Sequence, residues 1–185
     1  GGPELLVTPA ATQVPTQDSY GNGVIQKKGV CPKAGKLVSS AAGTFNGSNT
    51  YADTNVDLNG WTAISCSFWA RLDDAGANYP MPIASADTVQ GFEMFFSATS
   101  RQMSARLKNG AWKGIISPLL VNIGEWNHFA ATYNQAGGKL DLYQNGVLAA
   151  ETSASQIVAD AFCKLYIGGR GSLFIMDGPL CDMQV

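Results

Sequence analysis

The chain has 185 residues, of which 45% are hydrophobic and only 14% are charged, and its formal net charge is −2. This length suits one domain with one core, and all-β sandwiches often reach it undivided. The acidic balance argues against a nucleic acid partner, because duplex binding depends on Lys and Arg displacing counterions, and the lack of about 18 consecutive apolar residues argues against a membrane span.

Residues 1–35 are predicted to form an extended arm, or an arm with an early strand. This segment holds four of the eight prolines, and its apolar stretches, such as Leu5 to Val7, are short. Such an arm is either a linker or a device that reaches a neighbouring subunit. We place the domain itself at residues 36–185. Because the sequence begins with Gly1 and shows no signal-peptide pattern, we expect a processed product or a piece of a longer polypeptide.

From Thr44 onward, short apolar runs alternate with turn residues, a pattern typical of an all-β sandwich. The alternation in residues 64–71 predicts a half-buried strand, with Ile64, Cys66, Phe68 and Ala70 on its apolar face. Loop residues occupy 73–82. Further strands are predicted at 92–98 and 102–107, followed by a turn at 109–110.

Residues 126–151 carry the clearest local pattern. Strands are predicted at 127–133, 139–143 and 147–151, and Asn145-Gly146 joins the last two. Asn-Gly favours a type I′ turn, whose twist matches that of paired strands. We therefore expect three consecutive antiparallel strands here. A final pair is predicted from 164–167 and 180–185.

Several of these segments resemble a known family. Residues 126–133 read W-N-H-F-A-A-T-Y and residues 140–146 read L-D-L-Y-Q-N-G, and three further segments follow the family's order: 45–51, 65–71 and 165–169. Together they resemble the laminin-G-like, concanavalin A-like lectin/glucanase jelly-roll modules over residues 44–185. The resemblance implies a two-sheet antiparallel β-sandwich. The closing strand departs from the family pattern, because Cys181 stands where the family has an Asp.

Four cysteines, Cys31, Cys66, Cys163 and Cys181, lack C-x-x-C spacing and are accompanied by one histidine. A structural zinc site is therefore not expected. We favour reduced, buried thiols slightly over disulfides, and four cysteines leave three pairings open.

We expect no catalytic residues and no enzymatic activity. Retaining glycanases need two carboxylates about 5 Å apart, whereas Glu93 and Asp141 each lack a suitable partner along their strands. We expect surface or loop roles for both. His128 lies among Trp126, Ala130 and Thr132 at alternate positions, which favours packing over general-base chemistry.

Calcium is a candidate cofactor, since it binds oxygen ligands that loops supply as Asp and Asn. Turn geometry alone also explains such residues. Asn46 and Asp182 are the preferred ligands, because the resemblance brings their strands together. The wider set of candidates is Asn46, Asp53, Asp57, Asp73, Asp74, Asp87, Asp177 and Asp182.

Four aromatic residues near turn-like stretches are candidates for carbohydrate binding: Trp61, Trp112, Tyr79 and Tyr51. An aromatic ring packs against the apolar face of a sugar while polar side chains bind its hydroxyls. Packing at the core or rim is the alternative for each.

Two hypotheses for function follow. The first is a non-catalytic recognition or adhesion module that binds glycan or protein in a secreted or surface-exposed protein. The second is a structural subunit, decoration or fibre component of a virion, pilus or similar assembly, which self-assembles through the N-terminal arm. Both hypotheses place the chain outside the cell, at the cell surface or on a virion.

Overall fold

The computed structural model describes residues 28–33, 36–58, 60–74, 79–85, 90–109, 111–155, 164–170 and 173–185. Within these ranges, side chains are described from residue 44 onward, except at positions 55, 57, 90 and 109. The first 27 residues of the predicted arm lie outside the described residues. Residues 28–33 form a strand, and the predicted boundary between residues 35 and 36 stays a prediction.

The described residues form thirteen strands in two antiparallel sheets. The seven-stranded sheet has the order β1-β2-β13-β4-β9-β10-β11, and the six-stranded sheet has the order β3-β12-β5-β6-β7-β8. The predicted all-β, two-sheet sandwich of jelly-roll type is confirmed. The described residues include no helix long and apolar enough to cross a membrane. The strands are β1 Lys28–Lys33, β2 Lys36–Asn46, β3 Ala52–Asp57, β4 Ala63–Arg71, β5 Ile83–Ser85, β6 Gln90–Phe96, β7 Gln102–Asn109, β8 Ala111–Leu120, β9 Trp126–Asn134, β10 Lys139–Gln144, β11 Val147–Ser153, β12 Lys164–Ile167 and β13 Asp177–Gln184.

The core lies between the two sheets, and strands such as β4, β9 and β10 contribute to it by alternating inward and outward side chains. In β4 the four predicted apolar positions are all buried. Phe129 on β9 packs against Phe68 of its own sheet and Phe96 of the facing sheet, with ring centroids 5.9 Å and 5.6 Å apart. Each such aromatic side chain contributes about 1.5–3 kcal/mol through removal of apolar surface from water. Because these residues point inward, their neighbours in sequence point outward.

The three-strand segment from β9 to β11 has the predicted arrangement, since β10 pairs with β9 on one side and β11 on the other. Asn145 and Gly146 both have positive φ, 52° and 81°, as a type I′ turn requires. The Asn145 side chain fixes this turn: its Oδ1 accepts a hydrogen bond from the His128 backbone N–H at 2.9 Å. Its Nδ2 donates to Asn127 Oδ1, also at 2.9 Å.

The predicted pairing of the last two strands is wrong. β12 pairs with β3 and β5 in the six-stranded sheet, whereas β13 pairs with β2 and β4 in the seven-stranded sheet. The chain between them turns at Gly168, where φ is 77°, and crosses from one sheet to the other. Gly168 therefore serves a crossover rather than a hairpin.

Sequence reasoning did not find β8, although it has ten residues. Gly114 and Pro118 interrupt its pattern, and both residue types usually argue against a strand. β8 is the last strand of its sheet, and an edge strand tolerates proline because one side of its backbone needs no hydrogen-bond partner in the sheet. Trp112 therefore lies on a strand and not in a turn.

The cysteines differ in state. Cys66 is free and buried, and burial raises the pKa of its thiol to about 12. Cys181 is disulfide-bonded, which corrects the expectation of reduced thiols. Cys163 and the side chain of Cys31 lie outside the described part of the chain. Disulfides persist in oxidising compartments.

Candidate ligand-binding face

The outward side of the six-stranded sheet, called here the six-stranded face, carries a continuous row of side chains. Strand pairing aligns one outward position from each of its six strands. Core residues flank three of these positions on both sides, for example Phe92 and Met94 on either side of Glu93. In spatial order the row is Asp53, Tyr166, Ala84, Glu93, Arg106 and Gly114.

Trp112 lies at one end of this face, on the edge strand β8. Its side chain is 37% exposed, and the guanidinium carbon of Arg106 lies 3.8 Å from the centroid of its ring. Lys108, which pairs with Trp112 across β7 and β8, places its Nζ 5.0 Å from the same centroid. Cations over a ring are attracted by its electron-rich face. The indole is therefore held by two cations while part of its surface stays open to solvent.

An open depression of about 310 Å³ adjoins Trp112. Phe95, Arg106 and Ile116 contribute to its walls, and Gly114 lies among its lining residues. A Cβ at Gly114 would come within 2.6 Å of the Arg106 Cβ, so glycine is what allows Arg106 to lie across β8. The depression thus combines an aromatic ring, a cation and apolar side chains.

Glu93 organises the centre of the face, and the expectation of a surface or loop role for it is wrong. Its side chain is completely buried. Its Oε2 accepts a hydrogen bond from Arg106 Nε at 2.7 Å and also lies 2.7 Å from Arg106 Nη2. Its Oε1 accepts from Arg170 Nη1 at 2.9 Å. A carboxylate that is buried away from water needs hydrogen-bonded cations, and two arginines supply them here.

The crossover after β12 covers Glu93. Arg170 lies in this segment and stacks over Phe174, with its guanidinium carbon 4.7 Å from the ring centroid. Phe174 packs in turn on a small apolar cluster of Met81, Ala84 and Phe95. The crossover is therefore fastened to the six-stranded face by an ion pair and by apolar contact together.

The arrangement around Glu93 does not suit glycoside hydrolysis. Both carboxylate oxygens are engaged by arginine, so neither is placed to act on a substrate. Among the described side chains of the row, the other carboxylate is Asp53, three strand spacings away. That is roughly 14 Å, against separations of about 5 to 9.5 Å in glycosidases.

The four aromatic candidates have different surroundings. Trp112 lies in the depression, and Tyr79, which is 48% exposed, packs edge-on against Phe95 at 5.7 Å. Tyr51 is also exposed and lies 5.8 Å from Tyr166 of the row. Trp61 is partly buried against the main core, as its packing alternative proposed. Three of the four rings thus contact side chains of the six-stranded face.

The two preferred calcium ligands do not meet. β2 and β13 are neighbours, but Asn46 pairs with Asp177, and Asp182 lies five residues farther along β13, roughly 16 Å at the rise of a strand. The Oδ1 of Asn46 already accepts the backbone N–H groups of residues 48, 49 and 50 and so closes a turn. These two residues do not fit a shared calcium ion.

Among the remaining acidic candidates, Asp73, Asp74 and Asp177 lie near one another. Asp53 lies 3.9 Å from Lys164 Nζ, while the side chain of Asp57 and all of Asp87 are outside the described residues. Burial, together with the carboxylates of Asp73 and Asp74, raises the pKa of Asp177 above its ordinary value. Within the described part of the chain, no three His, Cys, Asp or Glu side chains are grouped to hold a metal ion.

The outward side of the seven-stranded sheet holds His128 in a packed position. Its ring lies edge-on to Trp69, 5.3 Å between centroids, and burial lowers its pKa below 6.5 despite the opposing Asp182 carboxylate. Trp69 and Trp126 pack on Cys181. Asp141 is half-buried and lies 3.5 Å from Lys139 Nζ. These contacts agree with packing for His128. Asp141 lies on the outward side of β10 and not in a loop.

A laminin G family model, described as the concanavalin A-like lectin/glucanases superfamily, matches residues 46–185. The chain belongs to this superfamily. Its matched region begins at the end of β2 and includes every strand from β3 to β13. No curated protein sequence matches this superfamily member.

Solved structures share the sandwich of this superfamily member at low sequence identity. The carbohydrate-binding module CBM40 of the Ruminococcus gnavus IT-sialidase, bound to α2,3-sialyllactose, is 13% identical, with a TM-score of 0.62 over 78% of this chain and 90% of that one. The heptameric SAP-like pentraxin of Limulus polyphemus is 15% identical, with a TM-score of 0.59 over 76% and 73%. Domain 4 of the Geobacillus stearothermophilus arabinanase AbnA, in complex with arabinotriose, is 15% identical, with a TM-score of 0.57 over 78% and 81%. These likenesses establish the fold.

Proposed function

We propose that this chain is a non-catalytic recognition module that binds carbohydrate on its six-stranded face. The observation that carries the proposal is the partly exposed indole of Trp112 beside an open depression. Sugar rings present apolar C–H faces that pack on such a ring, while their hydroxyls need polar partners nearby. Arg106 and Ser104 on the neighbouring strand supply these partners.

Two further observations support this role. The sialidase module and the arabinanase domain, which share the fold, are solved with oligosaccharides. The disulfide at Cys181 fits an oxidising compartment, in keeping with a secreted or surface-exposed protein. A protein ligand would need the same exposed aromatic surface, so the test must separate the two classes of ligand.

The test is a glycan array probed with the full chain, followed by titration calorimetry on the glycans that bind. Trp112→Ala should weaken binding about tenfold or more, because one stacked ring contributes on the order of 1–2 kcal/mol. Tyr143→Ala is the matched control, since Tyr143 is half-buried on the outward side of the other sheet. The Tyr143→Ala variant should bind these glycans with the same affinity as the unmodified chain.

A folded chain that binds no glycan would refute the proposal. Equal affinities for Trp112→Ala and the unmodified chain would refute this placement of the site. Circular dichroism of each variant separates lost binding from lost folding. An array without hits, together with capture of a protein partner that Trp112→Ala abolishes, would assign the same face to a protein ligand instead.

A second function, assembly into a larger structure, is favoured by an exposed apolar surface at the sandwich edge. Leu119, Leu120, Val147 and Leu148, called here the edge patch, are between 44% and 64% exposed. The Ser117 hydroxyl donates to Gln144 at 2.7 Å and so joins the two ends of the sheets that carry the patch. Contiguous exposed apolar surface commonly marks protein interfaces.

Analytical ultracentrifugation of the full chain tests the assembly hypothesis. An assembly subunit should sediment as an oligomer, and Leu120→Asp with Val147→Asp should shift it to a monomer. Thr132→Asp, a polar change on the outward side of the seven-stranded sheet, provides the control. A chain that stays monomeric at high concentration would exclude self-assembly through the edge patch.

A further inference from the structure

We infer that the six-stranded face binds a chain of linked sugars rather than a single terminal sugar, with one sugar ring packed on Trp112 and another on Tyr79. This inference rests on the proposed function and specifies its ligand class. Both side chains are exposed aromatic rings, and the residues between them are almost buried. An oligosaccharide long enough to reach both rings is the ligand that this surface fits.

The separation of the two rings is the first argument. The Tyr79 ring lies 5.7 Å from the Phe95 ring, and the guanidinium carbon of Arg106 lies 4.4 Å from the Phe95 centroid and 3.8 Å from the Trp112 centroid. These three separations together set an upper limit of about 14 Å between the Tyr79 and Trp112 rings. A pyranose ring is similar in size to the phenol ring of tyrosine. One sugar therefore covers one of the two rings, and a linked sugar is needed to cover the other.

The surface between the rings is the second argument. Trp112 and Tyr79 are 37% and 48% exposed, whereas Phe95 and Ser104 are 8% and 6% exposed. Phe95 and Ser104 pair across β6 and β7, and both line the open depression beside Trp112. Two exposed rings therefore flank a nearly buried floor, which leaves room for the linkage between two sugars.

The third argument is that Tyr79 is positioned before a ligand arrives. Its ring packs against the Phe95 ring at an interplanar angle of 83°, an arrangement that aromatic pairs prefer. The next residue, Pro80, has a restricted φ, and its carbonyl accepts the backbone N–H of Phe96 at 2.8 Å. Trp112 is held in turn by its contacts with the cations of β7. Two rings that are already in place lose little conformational entropy on binding.

The linkage between sugars makes the second ring effective. Once one sugar lies on Trp112, the following sugars are confined near Tyr79, so their contact with this ring forms at a high effective concentration. A stacked ring of this kind changes affinity about tenfold. Affinity should therefore rise with chain length until the oligosaccharide reaches both rings, and then stay constant.

The experiment uses an array that carries linear oligosaccharides of glucose, xylose, arabinose, mannose and N-acetylglucosamine. Each is present as a series from the monosaccharide to the hexasaccharide, beside branched glycans that end in single sugars. The array is probed with the full chain, and titration calorimetry measures the affinity for each member of a series that binds. We expect at least one linear series to bind, with an affinity that rises about tenfold or more from its shortest to its longest member.

Tyr79→Ala tests the second ring. It should lower the affinity for the longest member about tenfold, because one stacked ring is lost, and leave the affinity for the shortest member unchanged. Tyr79→Phe keeps the ring and should retain the affinity for the longest member. Tyr143→Ala, on the outward side of the other sheet, is the control and should weaken no member. Circular dichroism of each variant confirms that it is folded.

The outcomes separate this inference from the proposed function. An affinity that does not change with chain length, or binding of branched glycans alone, would overturn the inference and leave carbohydrate recognition standing. Equal affinities of Tyr79→Ala and the unmodified chain for the longest member would also overturn it. A folded chain that binds no glycan would overturn both.

Discussion

Replacing Glu93 by alanine tests the buried charge network most directly. The carboxylate is completely buried, while the side chains of Arg106 and Arg170 are 28% and 14% exposed. Breaking a buried ion pair by removing one partner costs about 3–5 kcal/mol, because the other charge is left without compensation. Both guanidinium groups can partly reach water here, so we expect a loss near the lower limit, about 3 kcal/mol.

Urea unfolding followed by circular dichroism measures this loss. With a slope of about 2 kcal/mol per molar urea, Glu93→Ala should lower the unfolding midpoint by about 1.5 M. Glu151→Ala is the control: Glu151 pairs with Lys139 at 2.6 Å, but both side chains are half exposed and water replaces the pair. If the midpoints of Glu93→Ala and Glu151→Ala coincide, Glu93 is not a buried partner of the two arginines.

Four further predictions follow from the packing and the pKa values. Gly168→Ala should unfold the chain or lower its melting temperature steeply, because φ is +77° and an added Cβ would overlap the ring of Phe45; an unchanged melting temperature would contradict this packing. Burial lowers the pKa of His128 below 6.5, so the unfolded chain takes up the proton first and stability falls as the pH drops below 6.5; the NMR titration of this single histidine should show a midpoint below 6.5, and a higher midpoint would mean that the ring is solvated. Because burial raises the pKa of Cys66 to about 12, iodoacetamide should label it only after unfolding, as peptide mass spectrometry will show; labelling of the native chain would disprove its burial. Reducing the disulfide of Cys181 should lower the urea midpoint, since the cross-link restricts the unfolded chain; equal midpoints with and without reductant would exclude a stabilising role.

The fold was predictable where the alternation of side chains was regular. β4, β9 and β10 each place apolar residues at every second position, so a local pattern identifies them. β5 has only three residues, all buried, and so shows no alternation. β8 contains Gly114 and Pro118, and only its place at the sheet edge makes them acceptable. Neither the complete burial of β5 nor the position of β8 at the sheet edge can be found from local sequence.

The site was predictable only in part, because some of its residues are far apart in sequence and meet only in the fold. Trp112, Tyr79 and Tyr51 were named as candidates for ligand binding by their residue type and turn-like surroundings, although Trp112 lies on a strand. Glu93 and Arg170 are 77 residues apart, and only the sheet order and the crossover bring them together. The pairing of Glu93 with Arg106 carried a usable signal, since both occupy outward positions of consecutive strands. The register of that hairpin depends on the intervening turn, which the sequence does not define.

Along the strands that carry the row of the six-stranded face, evolution can constrain surface recognition and core packing separately. Tyr166, Glu93 and Arg106 in this row each lie between two core residues on the same strand, as Arg106 lies between Ala105 and Leu107. A substitution in the row can therefore change what the surface recognises without changing the volume of the core. An insertion or deletion of one residue within β7 would instead exchange inward-facing and outward-facing residues, and so disrupt both the core and the surface. Homologous chains should accordingly vary in the row by substitution while strand lengths stay constant.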